Sequence, residues 1–306
     1  MTKRLTGKIA LVAGATRGAG RGIACVLGEA GATVYCTGRS VRGKLSPINR
    51  PETIEETAEM VTAYGGVGIW AQVDHTQPDQ AQALFERVSQ EQEGRLDILV
   101  NNISGDWHID QEILSGKRFE PFWKQPLEKG LWTQRDGVHT HIITNYYAVP
   151  LMVARRQGLI IEVNDGNHVG YNNCGVYYSL SKSSAVLLAY FMSEELKEHN
   201  VTVVSLTPGW LRSENMLDGF GVTEENWQDA LEKAPDFAKS ETPFYVGRAV
   251  VALATDPDVM ERTGHALSAG YLAREYGFTD VDGKQPPGYC KEGVFKNGGF
   301  AHLEED

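Results

Sequence analysis

The sequence predicts an α/β fold, a single doubly wound (Rossmann) parallel sheet of about seven strands with helices on both faces. Short runs that are apolar throughout alternate with amphipathic stretches, and a glycine-rich turn follows the first run. Glycine is also abundant, 33 of 306 residues, with no low-complexity tract to absorb it, so the glycines belong to turns and close backbone approaches. Strands that are apolar on both sides need helices on both sides. Right-handed crossovers then leave one architecture, with its ligand site at the carboxyl ends of the strands.

Taken in order, residues 8–14 (KIALVAG) form the first run and close on glycine. Five more lie at 32–37 (ATVYCT), 67–73 (VGIWAQV), 96–101 (LDILVN), 159–163 (LIIEV) and 201–206 (VTVVSL), with a short seventh at 265–268. Helical stretches separate them at 20–30, 51–64, 80–92, around 138–156 and at 176–199. No repeat or linker divides the chain, so residues 1–306 are read as one domain. Two segments break the alternation. An irregular insertion at 104–137 carries Trp107, Phe119, Phe122, Trp123 and Trp132, and its aromatics are expected to wall an apolar substrate cleft. A glycine- and acid-rich extension at 270–306 is expected to run over the surface.

Lysine and arginine number 29 against 40 aspartates and glutamates, a formal net charge of −11. No basic stripe is present to release phosphate counterions, which argues against nucleic acid as a partner, yet a few local arginines can still bind a small anion. Cys25, Cys36, Cys174 and Cys290 are far apart without a CxxC pair, as expected of reduced thiols in a cytoplasmic protein. No signal-peptide stretch opens the chain, and no run approaches the roughly 18 apolar residues of a membrane span.

Between the first run and its helix stands Gly14-Ala15-Thr16-Arg17-Gly18-Ala19-Gly20. Glycines at this spacing permit a tight turn and let backbone N–H groups approach a pyrophosphate at the positive end of the helix. Gly14, Thr16, Arg17, Gly18 and Gly20 are therefore candidate cofactor contacts. A ribose 2′-hydroxyl is usually read by a carboxylate at the end of the second strand. This chain has Thr37-Gly38-Arg39-Ser40 there, with Arg42 close behind and Arg17 in the turn. Guanidinium groups without a carboxylate favour a 2′-phosphate, so NADP(H) is preferred and NAD(H) is the second choice. Asp74, past the third strand, either reaches the adenine amino group or caps the following turn.

Tyr178 and Lys182 are four residues apart at the start of a helical stretch and so share a face. A neighbouring ammonium favours phenolate, lowering a tyrosine from its ordinary value of about 10 toward neutrality and making it a usable proton donor and acceptor.

With these residues assembled, the chain from about residue 5 to 270 resembles the short-chain dehydrogenase/reductase superfamily. Its glycine motif matches Ala13 to Gly20, and of its NNAG motif Asn101 and Asn102 are kept. Its helix asparagine matches Asn145, its YxxxK pair Tyr178 and Lys182, and its PG motif Pro208 and Gly209. The contexts GATRGAGRGIA and EQEGRLDILVNN most resemble one particular branch. The resemblance implies hydride transfer between nicotinamide and a small carbonyl/alcohol substrate. Tyr178 would act as general acid/base, Lys182 would tune it and hold the ribose, and Asn145 would anchor a relay water. Asn101, Pro208 and Gly209 would contact the cofactor, and the helices at 138–156 and 176–199 would pair subunits into a homodimer or homotetramer.

One position departs from that pattern. The family places a serine about thirteen residues before the tyrosine, where this chain has Asp165. An ionised Asp165 cannot donate to a carbonyl and would repel a developing oxyanion. It is either kept neutral by burial and acts as the donor, or binds a cationic or hydroxyl-rich substrate with Asn167 or His168 as oxyanion partner, or marks a weakened site. The working expectation is an active enzyme on a carbonyl unlike those a serine site serves. The competing one is a catalytically weak dinucleotide-binding sensor or scaffold. His139 with His141, and Asp106 with His108, lack further ligands for a metal, so none is expected. Cys174 is either pocket lining or packing, and Ser213 either caps the next helix or contacts the cofactor carboxamide.

Overall fold

The computed structural model describes residues 3–46, 49–104, 120–166, 169–171, 174–288, 293–296 and 299–302. Trp107, Phe119, Asp106, His108, Asn167, His168 and Cys290 lie outside the described residues. The parallel strands are β1 (Ile9–Ala13), β2 (Thr33–Gly38), β3 (Val67–Gln72), β4 (Ile98–Asn101), β5 (Gly158–Val163), β6 (Val201–Thr207) and β7 (Ala266–Ser268). They stand in the order β3-β2-β1-β4-β5-β6-β7. The chain reverses direction of build between β1 and β4, the switch point where a doubly wound sheet opens a crevice.

Each strand forms because its side chains are needed on both faces. In β1, Ala10 and Val12 enter the core beneath α1 (Gly18–Glu29), where they meet Ile23, Leu27 and Val246. Ile9, Leu11 and Ala13 turn to the opposite core with Val88, Leu99, Met152 and Ile160. The first face is covered by α1, α2 (Ile54–Ala63) and α8 (Pro243–Thr255), the second by α3 (Pro78–Glu91), α5 (Thr140–Arg155) and α6 (Val176–Leu196). β3 is the exception to strands apolar and buried throughout: as an edge strand it leaves Val67 and Trp70 exposed.

Three expectations are corrected. Residues 104–137 are not irregular throughout: α4 (Leu127–Gln134) is a regular helix that runs through a π-helical turn, Arg135–His139, into α5. Among its described aromatics, Phe122, Trp123 and Trp132 are exposed rather than lining the cavity. The C-terminal extension does not merely cross the surface. After α9 (Ala269–Tyr276), β8 (Gly293–Lys296) and β9 (Gly299–His302) add antiparallel to β7, giving nine described strands instead of about seven. Phe295 stacks on Tyr190 of α6 with ring centroids 4.1 Å apart, an apolar anchor that a reading of turn residues does not reveal. Completing the described helices is α7 (Glu214–Phe220), which follows the Pro208-Gly209 turn. No described helix is long and apolar enough to cross a membrane.

Candidate active site

At the carboxyl ends of β1, β2, β4, β5 and β6 lies a cavity of about 810 Å³. Gly14 makes its first turn with a φ of +82°, and a Cβ there would lie 2.8 Å from the Asn102 carbonyl oxygen. A Cβ on Gly20 would lie 2.1 Å from the Gly14 carbonyl oxygen, so this residue keeps α1 close to the turn rather than facing the cavity. The Gly18 N–H, at the positive end of α1, donates to Glu214 Oε2 at 2.7 Å. A carboxylate oxygen thus occupies a position suited to an anion.

Gly14, Thr16, Arg17 and Gly18 line the cavity. Burial lowers the pKa of Arg17 against the pull of Glu52, whose carboxylate is 3.7 Å from Nη1. Arg17 Nη1 is buried without a hydrogen-bond acceptor. Arg39 also lines the cavity, 3.5 Å from Asp136. Arg42 does not: it makes a two-pronged pair with Glu59 on α2, at 2.7 and 2.5 Å, because the exposed tight turn closed by Val41 and Lys44 points it toward the acidic helix face. Asp74 lines the cavity and also takes the Thr76 N–H at 3.0 Å and hydroxyl at 2.7 Å, closing the turn. Burial would raise Asp74, but those bonds and the charges of Arg39 and Arg135 hold it below the usual carboxylate value.

Tyr178, Lys182, Asp165, Pro208 and Gly209 share the other end of the same cavity, with Tyr171, Cys174, Trp210 and Ser213. The Tyr178 hydroxyl donates to Asp165 Oδ2. Lys182 Nζ stands 5.2 Å from the Tyr178 ring centroid, as the four-residue spacing requires. Cys174 is therefore at the cavity, its thiol raised by burial and then by the Asp165 charge. Ser213 does cap α7, accepting from the Met216 N–H at 3.4 Å.

Asn101 and Asn145 stand a layer deeper. Asn101 Nδ2 donates to Asn145 Oδ1 at 3.1 Å and to Glu162 Oε1 at 2.9 Å, while Asn145 Nδ2 donates to the same carboxylate oxygen at 2.7 Å. It is Asn102, Ile103 and Ser104 that face the cavity after β4. Glu162 is fully buried, and its second oxygen pairs with His141 Nδ1. His141 Nε2 lies 2.8 Å from the Ile103 carbonyl, which can only accept, so that nitrogen carries a proton. Burial alone would lower His141, but the Glu162 charge and hydrogen bond hold it above the ordinary histidine value.

Sequence reasoning passed over His141 as a failed metal ligand and missed Glu162 and Glu214. The signal for Glu162 was there, a lone carboxylate inside an apolar strand run, which must find partners to be buried. Among the described residues no three metal-ligating side chains come together.

A doubly wound sheet whose glycine turn, tyrosine and lysine open on one cavity defines a dinucleotide-dependent oxidoreductase. The short chain dehydrogenase family model matches residues 8–219, and the chain belongs to that family. It is 35% identical over 297 residues to mouse dehydrogenase/reductase SDR family member 1, covering 96% of this chain and 89% of the relative. GATRGAGRGIA and EQEGRLDILVNN point toward that branch. A short chain dehydrogenase of Mycobacterium thermoresistibile superposes with a TM-score of 0.74 at 21% identity, covering 94% of each chain. A metagenomic short-chain oxidoreductase in complex with NADP does so at 0.63 and 24%, covering 83% of this chain and 93% of that one. The residues present fit such a dinucleotide: the Gly18 N–H already holds an anionic oxygen, and buried Arg17 Nη1 awaits an acceptor.

Proposed function

We propose that the protein is an oxidoreductase moving hydride between a nicotinamide dinucleotide, NADP(H) before NAD(H), and a small carbonyl/alcohol pair, with Tyr178 as general acid/base. One observation carries this reading: Tyr178, Lys182 and the glycine turn line the same cavity. Gly14, Thr16, Arg17 and Gly18 would hold the pyrophosphate end, Arg39 would meet a 2′-phosphate, and Asp74 would face the adenosine. Pro208, Gly209 and Lys182 would flank the nicotinamide ribose, while Asn101 and Asn145 would act from beneath. When bound, the dinucleotide supplies or accepts the hydride. Tyr178 would hold the exchanged proton at Oη, with the Lys182 ammonium beside its ring.

Free thiols at Cys25 and Cys36 support a reducing, cytoplasmic setting. Exposed Ile142 and Tyr146 on α5, with Leu180 and Phe191 on α6, support pairing of subunits through these helices.

The test is NADPH oxidation across a panel of small carbonyls. Tyr178→Phe should lower turnover by roughly 100- to 10,000-fold while NADPH still quenches the protein's fluorescence. Binding with turnover indifferent to this substitution would instead indicate a sensor.

A further inference from the structure

A hydroxyl at the end of β5 could donate a hydrogen bond to a reacting heteroatom, whereas a carboxylate can only accept one. Asp165 stands there and takes the Tyr178 hydroxyl proton in a hydrogen bond. Any substrate atom within reach of that hydroxyl therefore also meets the carboxylate. Tyr171, Trp210, Leu211 and Met216 give this end of the cavity aromatic and apolar walls beside the polar Asn164, Ser213 and Asn215. The cavity's guanidinium groups, Arg17 and Arg39, follow β1 and β2, across the switch point from β5 and β6. Lys182 approaches from the ring side of Tyr178, its Nζ 5.2 Å from the ring centroid.

A ketone oxygen acquiring negative charge would find an acceptor where it needs a donor. A protonated imine reverses each sign. Its N–H donates to the carboxylate, its charge is attracted, and aromatic walls suit a cation. Resting on the hydride-transfer part of the reading above and revising its substrate, we infer that Asp165 and Tyr178 favour a protonated C=N group, an iminium or cyclic imine, over a neutral ketone as the bond that is reduced.

The balance closes without a proton leaving the protein. A hydride adds to the iminium carbon, the π pair of the C=N bond withdraws onto nitrogen, and the cation becomes a neutral amine. The reduced dinucleotide is the reductant and is left oxidised, so total charge is conserved.

The test compares protonated 3,4-dihydroisoquinoline, a cyclic iminium that keeps its N–H, with tetralone, a neutral ketone of the same ring size. In calorimetric titrations of the whole protein the cation should bind at least tenfold more tightly, and Asp165→Ser should abolish or reverse that preference. With NADPH, the kcat/KM ratio of cation to ketone should exceed ten and fall below one in Asp165→Ser. Asp165→Asn, nearly the same shape, should lose the preference too and serves if the serine variant does not fold. Equal binding, no binding of either compound, a ketone preferred by the native protein, or a ratio unmoved by both substitutions would overturn the inference. So would a preference for oxidising tetralol over the cyclic amine. NADPH titration separates the two levels: failure to bind dinucleotide sinks the oxidoreductase reading itself, whereas binding without cation preference sinks only the assignment to Asp165.

Discussion

Two buried histidines stand one on each side of the switch point, His75 at the cavity wall and His141 beneath its floor, and they are held in opposite ways. On the dinucleotide side, His75 lies between the hydroxyls of Thr37 and Thr144, each 2.8 Å away. The Thr144 hydroxyl proton is committed to the Thr140 carbonyl at 2.6 Å, so Thr144 accepts from His75 Nδ1; the Thr37 hydroxyl has the Val12 carbonyl at 3.3 Å but lies closer to Nε2, which is its acceptor. The ring is neutral, and burial pushes its pKa down to about 4. On the catalytic side, equally buried His141 faces a carboxylate and a carbonyl, and its pKa is raised. Burial is common to both, so partner chemistry decides the charge state. On the side proposed to hold the dinucleotide this histidine stays neutral, and the charge at that end is carried by Arg17 and Arg39 beside the glycine turn. The catalytic side places an ion pair under Asn101 and Asn145, where it fixes the floor of the site.

The contrast can be broken most forcefully at Glu162. Glu162→Ala would leave a buried imidazolium and two amides without their acceptor and should cost about 3–5 kcal/mol in urea unfolding. A loss below about 1 kcal/mol would show that the pair is not charged as described.

Acid titration should separate the two histidines next. The folded value of His75 lies below its unfolded one, so between about pH 6.5 and 4 the unfolded state binds more protons, and stability falls as pH falls, by up to roughly 3 kcal/mol. His75→Gln should flatten that limb of the stability curve. His141 has the opposite sign: its contribution is full below about pH 6.5 and is lost as pH rises past its folded value.

Smaller effects probe the dinucleotide side. Arg39→Ala should weaken NADPH binding by about tenfold and NADH binding little, in fluorescence titrations, if its guanidinium meets a 2′-phosphate. Glu214→Gln should tighten either dinucleotide by a few-fold, because a carboxylate no longer competes for the Gly18 N–H. Weaker binding in that variant would show that Glu214 organises the turn rather than competing for it.

Local signals were enough wherever a short segment settles its own conformation. The apolar run 8–14 closed by glycine became β1 and its turn, and the four-residue step from Tyr178 to Lys182 put both at one cavity. Arg42 illustrates the limit, since its position beside the second strand said nothing of Glu59, seventeen residues on, which turns it away. The exposed Trp123 and Trp132 failed in the same way: aromatic content marks a segment, but the fold decides which way it faces.

The sequence alone determined the parallel sheet, its glycine turn and the residue types at the strand ends, because hydrophobic period and glycine spacing act over a few residues. Only the tertiary structure decided that Asp165 accepts from Tyr178, that Glu162 gathers His141, Asn101 and Asn145, and that the chain end extends the sheet. Those outcomes depend on donors, acceptors and apolar faces brought together from distant parts of the chain, where burial forces each polar group to find a partner.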